Sequence, residues 1–145
     1  MNVTIIEDET MAPDRAEIRC RETDPDINAA AELLRTGSGS VTGTSEGRTR
    51  IVRTADILYF ESVDKTCFFY TAEGVFRAEF RLYEAENNMK DRHFIRVSKS
   101  MVLNIMKIDE ISPFISGRLK LRLSNGEYVI VSRQYSKALK QELGI

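Results

Sequence analysis

From residue 48 onward the chain consists of short strand-like runs divided by turn signals. This regular alternation of strands and turns limits the possible folds more than any other feature. Asn125-Gly126 is the strongest two-residue hairpin signal, because both residues tolerate the positive φ angles of a tight turn. Glycines at 47 and 74 divide earlier runs in the same way. The runs are residues 49–53, 57–62, 67–71, 75–79, the stretch around 95, 101–103, 111–115, 118–123 and 128–131. The pattern predicts antiparallel hairpins.

Two helical patterns accompany the strands. Apolar residues recur at helical spacing in residues 81–90, and Ser132 is a natural N-cap for a last helix with the same spacing. We therefore predict a mainly β (α+β) fold of short antiparallel sheets with an inserted helix and a C-terminal helix. The chain of 145 residues is long enough for one domain of ordinary size and a small accessory element.

Residues 1–47 differ from the rest and predict a small mixed arm. Residues 3–6 and 17–20 have strand character, Asp26 is placed to cap an amphipathic helix, and the Gly/Ser run 36–40 then indicates a linker. The arm holds four arginines and ten acids, a net charge of −6. We divide the chain into this acidic accessory arm, with a dimerisation or regulatory role, and a domain at residues 48–145.

The charge of the second part has the opposite sign. Residues 92–140 carry ten basic and three acidic side chains, a net charge of +7 in a chain whose total is −1. Such a local excess indicates a surface for a polyanion, although a solvated face without a partner has the same composition. The motifs have to decide between these interpretations.

Two motifs place donors and a cation where the chain leaves an apolar run. In a loop, Ser98-Lys99-Ser100 would contact phosphate, and Lys99 would reach guanine acceptors. A turn in which both serines bond local backbone explains the same residues. Arg133 lies at a predicted helix start, where a guanidinium can bind phosphate or guanine but opposes the helix dipole. That conflict favours a functional reason for the arginine.

Two other patterns are more typical of structure than of function. Asn104 ends an extended run, where a side-chain amide usually satisfies the backbone of a turn. Basic residues alternate with leucines in residues 118–123, which predicts a half-buried surface strand, with a strand facing DNA as the alternative.

The composition argues against several classes of protein. No stretch approaches the roughly 18 apolar residues of a membrane span, and no signal peptide is visible, so we expect a cytoplasmic protein. Cys20 and Cys67 share no metal-binding spacing, and His93 is the only histidine. Without a nucleophile–histidine arrangement or a phosphate loop, we predict no enzymatic activity, no cofactor, no metal and no small-molecule substrate.

Residues 48 to 143 resemble a LytTR-type DNA-binding domain. The matching residues keep the family's order and spacing at 56–61, 94–100, 102–104, 108, 125–126 and 131–133. The resemblance implies a fold of short antiparallel sheets in which loops enter successive major grooves at paired direct repeats. It also implies three places of contact, which here hold Lys65, Thr66 and Cys67; Ser98, Lys99 and Ser100; and Arg133.

The resemblance also has departures and implied partners. Many relatives have His-Arg or His-Asn where this chain has Ser98-Lys99, so their base preference does not carry over. A chain with a short arm resembles the standalone LytTR regulators, which implies a small membrane protein as an inhibitor. We expect a homodimer, since the apolar face of the arm is too small to form a core alone.

Together these observations predict a bacterial-type transcriptional regulator that binds double-stranded DNA sequence-specifically. The alternative is a protein-interaction module whose acidic arm binds a regulatory partner, without specific DNA binding.

Overall fold

A computed structural model of the chain describes residues 1–13, 15–36 and 39–145. It divides into two compact units, Met1–Arg35 and Thr36–Ile145. Gly37 and Ser38, the centre of the predicted linker, lie outside the described residues.

The smaller unit contains one helix, α1 (Pro25–Thr36). The predicted helix is confirmed, but its cap is Asp24 rather than Asp26, because the Oδ1 atom of Asp24 accepts a hydrogen bond of 2.9 Å from the N–H of Ile27. Pro25 then occupies the first helical position, where its missing N–H costs nothing. The strands predicted at residues 3–6 and 17–20 are absent, and both segments are exposed without the ladder partner that a strand requires.

The larger unit contains a seven-stranded antiparallel sheet and a three-stranded one. The order of the first is β2-β1-β5-β4-β3-β7-β6, and that of the second is β10-β9-β8. The strands are β1 (Ser40–Ser45), β2 (Arg48–Arg53), β3 (Ile57–Val63), β4 (Thr66–Thr71), β5 (Gly74–Ala78), β6 (Phe94–Ser98), β7 (Met101–Asn104), β8 (Ile108–Pro113), β9 (Leu119–Leu123) and β10 (Tyr128–Val131). Helix α2 (Leu82–Asn88) is inserted between β5 and β6, and α3 (Arg133–Leu143) ends the fold. The predicted fold class is confirmed.

Strand β1 was missed by the sequence analysis, for a physical reason. An added Cβ at Gly43 would lie only 2.4 Å from the ring of Phe69, so a residue with a side chain does not fit where this ring packs. The strand therefore lacks the apolar alternation that identifies its neighbours. Because β1 pairs with both β2 and β5, it belongs to the larger unit although it precedes residue 48. The role of the arm stays a prediction.

The large sheet is covered on both faces. On one face, α2 closes a core that centres on Phe60, whose ring centroid lies 5.4–5.7 Å from those of Phe69, Phe80 and Phe94. On the other face, Leu103 packs with residues of the second sheet and α3. The first four residues of β3 are consequently buried without alternation, as expected for a strand between two layers.

A pair of tyrosines connects the two sheets. The rings of Tyr59 and Tyr70 stack at 4.5 Å, and each hydroxyl donates to a carboxylate, at 3.0 Å to Glu127 and at 3.1 Å to Glu61. Because Glu127 lies in the turn between β9 and β10, its bond joins the second sheet to β3. Burial and the nearby carboxylates raise the pKa of both phenols.

The structure confirms the role predicted for Asn104 and the alternation predicted for residues 118–123. Asn104 is 2 % exposed, donates 2.9 Å to the carbonyl of Ile57 and accepts 3.0 Å from the N–H of Met106. In β9 the leucines are buried, while Arg122 faces Asp109 and Glu110 at 4.0 and 3.6 Å. The pattern in residues 118–123 is therefore that of a half-buried surface strand.

Candidate nucleic-acid interface

The first candidate segment is the tight turn between β3 and β4. Val63 pairs with Thr66, and the two turn residues, Asp64 and Lys65, have φ angles of 50° and 66°. Two left-handed residues in a two-residue hairpin are typical of a type I′ turn, whose twist matches that of the strands. Lys65 is exposed. Its backbone carbonyl accepts a hydrogen bond of 2.9 Å from the guanidinium of Arg81.

The second candidate segment is the turn between β6 and β7. Ser98 pairs with Met101, so Lys99 and Ser100 form the tip, and both are exposed. The Oγ of Ser98 accepts a bond of 3.2 Å from the N–H of Ser100, which is the local role that the alternative interpretation gave to this serine. In the described part of the chain, the Lys99 ammonium makes no ion pair, so this cation is available to a ligand.

Arg96 holds the second turn in shape from inside the strand. Its Nε donates 2.7 Å to the carbonyl of Ser98, and a terminal nitrogen donates to the carbonyl of Lys99. Its other terminal nitrogen bonds Glu86 of α2 at 2.9 Å. A planar guanidinium with five donors can satisfy all three acceptors at once, which an ammonium group cannot do with the same geometry.

The third candidate segment is the start of α3. Ser132 occupies the N-cap position as predicted, but its side chain makes no capping bond; its N–H and Oγ donate 3.0 and 3.4 Å to the carbonyl of Val97. Arg133 follows, exposed. Its side chain lies against Gly117, where an added Cβ would be 3.3 Å from the Cγ of Arg133. Gly117 also has a φ of +75°, so a larger residue would be strained and would displace the arginine.

Backbone hydrogen bonds bring the three segments together. The N–H of Ser62, at the end of β3, donates 2.8 Å to the carbonyl of Ser100, which joins the first segment to the second. The bond from Ser132 to Val97 joins the third segment to the strand that leads into the second. The second segment is the turn of the β6–β7 hairpin, and the first and third segments are each hydrogen-bonded to that hairpin. Lys65, Lys99, Ser100 and Arg133 are exposed, and Thr66 and Ser98 are half-buried.

Cys67 is the exception and requires a correction. It is 2 % exposed and belongs to the core beneath the large sheet, so its side chain cannot contact DNA. Burial raises the pKa of its thiol to about 11. The sequence placed it next to a turn, but β4 starts at Thr66, and the alternation of the strand turns the next residue inward.

Arg81 and Arg96 were missed by the sequence analysis. Both line an open groove of about 400 Å³ between the first two turns, together with Lys65 and Lys99. The alternation of β6 gave no signal for Arg96, since period 2 places it on the same covered face as the buried Phe94, where it pairs with Glu86 of α2. Arg81 carried none, because its proximity to Lys65 depends on contacts 16 residues apart.

Among the helices of residues 1–13, 15–36 and 39–145, we find none long and apolar enough to cross a membrane.

Comparisons with known proteins agree with this architecture. A family model described as the LytTr DNA-binding domain matches residues 47–144. The LytTr DNA-binding domain of a methyl-accepting/DNA response regulator from Bacillus cereus superposes with a TM-score of 0.71 at 28% identity, over 75% of this chain and all of that one. Proteins named uncharacterized HTH-type transcriptional regulators in Staphylococcus aureus strains NCTC 8325 / PS 47 and MRSA252 are 30% and 29% identical over 119 residues, covering 82% of this chain and 79% of theirs.

The strand order, the hairpin turns and the match over residues 47–144 lead to one assignment. The chain belongs to the LytTR family of DNA-binding domains.

Proposed function

We propose that this protein is a transcriptional regulator that binds double-stranded DNA sequence-specifically and performs no chemistry of its own. The observation that carries the proposal is the grouping of three donor-rich segments around the β6–β7 hairpin, with Lys65, Lys99 and Arg133 exposed. Cations and short donors are the groups with which proteins contact phosphates and base edges. A cytoplasmic location is part of the same proposal.

The residues have different roles in this proposal. Lys99 and Arg133 reach base edges, because a cation at a loop tip and an arginine at a helix start can enter a major groove and bind guanine acceptors. Lys65, Thr66, Ser98 and Ser100 fix the register on phosphates. Loops, rather than a helix lying along the groove, enter successive major grooves on one side of the duplex, and two copies occupy paired direct repeats.

Two partners beyond DNA belong to the proposal, a second copy of the chain and a small membrane protein. Dimerisation through residues 1–35 would cover the apolar side chains that this unit exposes, among them Ile5, Ile6 and Leu34 at 67–89%. A small membrane protein as an inhibitor is supported by the resemblance to standalone regulators alone.

Selection of bound duplexes from a random pool tests the proposal. We expect an enriched sequence present as two direct repeats, and binding of that duplex at least about a thousandfold tighter than binding of random DNA. If the pool shows no enrichment, or if random duplexes bind equally well, specific recognition is excluded. The acidic arm would then be the candidate surface for a protein partner.

A further inference from the structure

A cationic groove lies between the first two candidate segments. Its walls include the two turn lysines, Lys65 and Lys99, and two arginines, Arg81 and Arg96. Ser62 and Tyr83 also line it. Among the described residues that line the groove, none is an aspartate or a glutamate. Glu86 pairs with Arg96 from the side of α2, and within the described part of the chain the other three cations make no ion pair.

Arg81 is held so that most of its donors stay free. Its backbone N–H bonds the carboxylate of Glu84 at 2.8 Å, which fixes the residue at the start of α2. One terminal nitrogen of its guanidinium bonds the carbonyl of Lys65 at 2.9 Å, which draws the side chain towards the first turn. A guanidinium has five N–H donors, so the remaining ones can bind an oxyanion in a bidentate manner.

We propose that this groove binds one phosphate of the DNA backbone and that Arg81 is a DNA-binding residue. The inference rests on the proposed function and adds a site to it. Arg81 supplies the bidentate contact, Lys65 and Lys99 add charge from either wall, and Arg96 acts as a positioning residue that shapes the Lys99 turn. A phosphate matches this lining because its oxygens accept hydrogen bonds from guanidinium and ammonium groups and carry the negative charge that the grouped cations attract.

The first test is the salt dependence of binding to the selected duplex, with the full chain. For Arg81→Ala we expect an affinity loss of about tenfold at low salt and a slope of log Kd against log salt that is smaller by about one unit. Arg48→Ala is the matched control, since Arg48 is an exposed arginine beside the β1–β2 turn, on the edge strand farthest from β3 and β7. Its slope should equal that of the wild type.

A second test locates the phosphate itself. Backbone phosphates of the selected duplex are replaced one at a time by neutral methylphosphonates, and the loss of affinity is measured for the wild type, Arg81→Ala and Lys65→Ala. We expect one position at which the wild type loses about tenfold and the variants lose little more, because the contact is already absent. Using two variants keeps the test decisive if one of them does not fold.

The outcomes separate the two claims. If the wild type discriminates the selected duplex but Arg81→Ala behaves like Arg48→Ala, the groove site is excluded while the proposed function stands. If the wild type binds DNA without discrimination, sequence-specific recognition is excluded, and the salt slopes of the wild type and Arg81→Ala on random DNA then decide the groove site by themselves. Binding of inorganic phosphate to the DNA-free protein at matched ionic strength separates the two sources of phosphate. Phosphate binding that Arg81→Ala abolishes, together with an unchanged DNA affinity and salt slope in that variant, would assign the groove to free phosphate and overturn the proposal.

Discussion

Arg96→Ala should weaken DNA binding although, in this account, Arg96 does not contact DNA. The arginine donates to the carbonyls of Ser98 and Lys99 and is oriented by Glu86. Alanine removes all three bonds and leaves the loop tip free to sample other conformations. The variant must therefore order this turn when it binds DNA, at a cost in conformational entropy, whereas in the wild type the turn is already ordered in the folded protein.

The size of this cost follows from the turn. Fixing the backbone of one residue costs about 1–2 kcal/mol, so ordering residues 98 and 99 on binding costs at most about 2–4 kcal/mol. The pairing of Ser98 with Met101 and the bond from Ser100 to Ser98 still restrain the turn. We therefore expect about half of that cost, 1–2 kcal/mol, or an increase in Kd of about 5- to 30-fold. The free energy of unfolding should fall by about 1–2 kcal/mol.

Fluorescence anisotropy with the selected duplex at several salt concentrations measures the effect. Because no phosphate contact is lost, the salt slope should be that of the wild type. Arg96→Lys is the matched control: it keeps the charge but not the fork, and should lose nearly as much affinity as the alanine variant. Full affinity in Arg96→Ala, or a salt slope reduced by one unit and restored in Arg96→Lys, would refute a positioning role.

Three further predictions concern other residues. Arg133→Ala should cost about 1–3 kcal/mol on the selected duplex and much less on random DNA, and equal losses on both would remove Arg133 from base recognition. At pH 8 a thiol reagent should label Cys20 rapidly and Cys67 only after denaturation, because Cys20 is exposed and the pKa of buried Cys67 is about 11; two fast thiols would contradict the burial. Tyr59→Phe should lower the free energy of unfolding by about 1 kcal/mol through loss of the bond to Glu127. Because the folded-state pKa of Tyr59 is raised, its contribution to stability is present below the phenol's ordinary pKa of about 10 and declines as pH rises beyond it. Above pH 10 the urea midpoint of the wild type should therefore fall faster than that of Tyr59→Phe, and equal declines would contradict the role of this hydroxyl.

Local signals account for most of what could be predicted. Asp64 and Lys65 both have positive φ angles, whereas at Asn125-Gly126 only Gly126 does, because that loop is longer than the two residues its sequence predicts. Both sequences still locate their hairpins within a few residues. The strands between them follow from alternation and β-branched content. These signals were sufficient for the fold class and for two of the three candidate segments.

The remainder depends on contacts between distant residues. Strand β1 could not be predicted because its central residue is Gly43, which leaves room for the ring of Phe69. That requirement arises from packing in the core and not from the local sequence. The pairing of Arg81 with Lys65 arises where the end of β5 returns beside the β3–β4 turn, and nothing in either short segment indicates it. The inward direction of Cys67 depends on where β4 begins, and element boundaries are the least certain part of a prediction from sequence.

The central claim is that three segments around the β6–β7 hairpin form one DNA-binding surface. The most direct measurement is a titration of ¹⁵N-labelled protein with the selected duplex, followed by backbone amide resonances. We predict that the large shifts fall at residues 64–66, 98–100 and 132–134, while β2, on the far edge of the large sheet, is unchanged. Shifts confined to β2 or to residues 1–35, with these three segments unaffected, would contradict the claim.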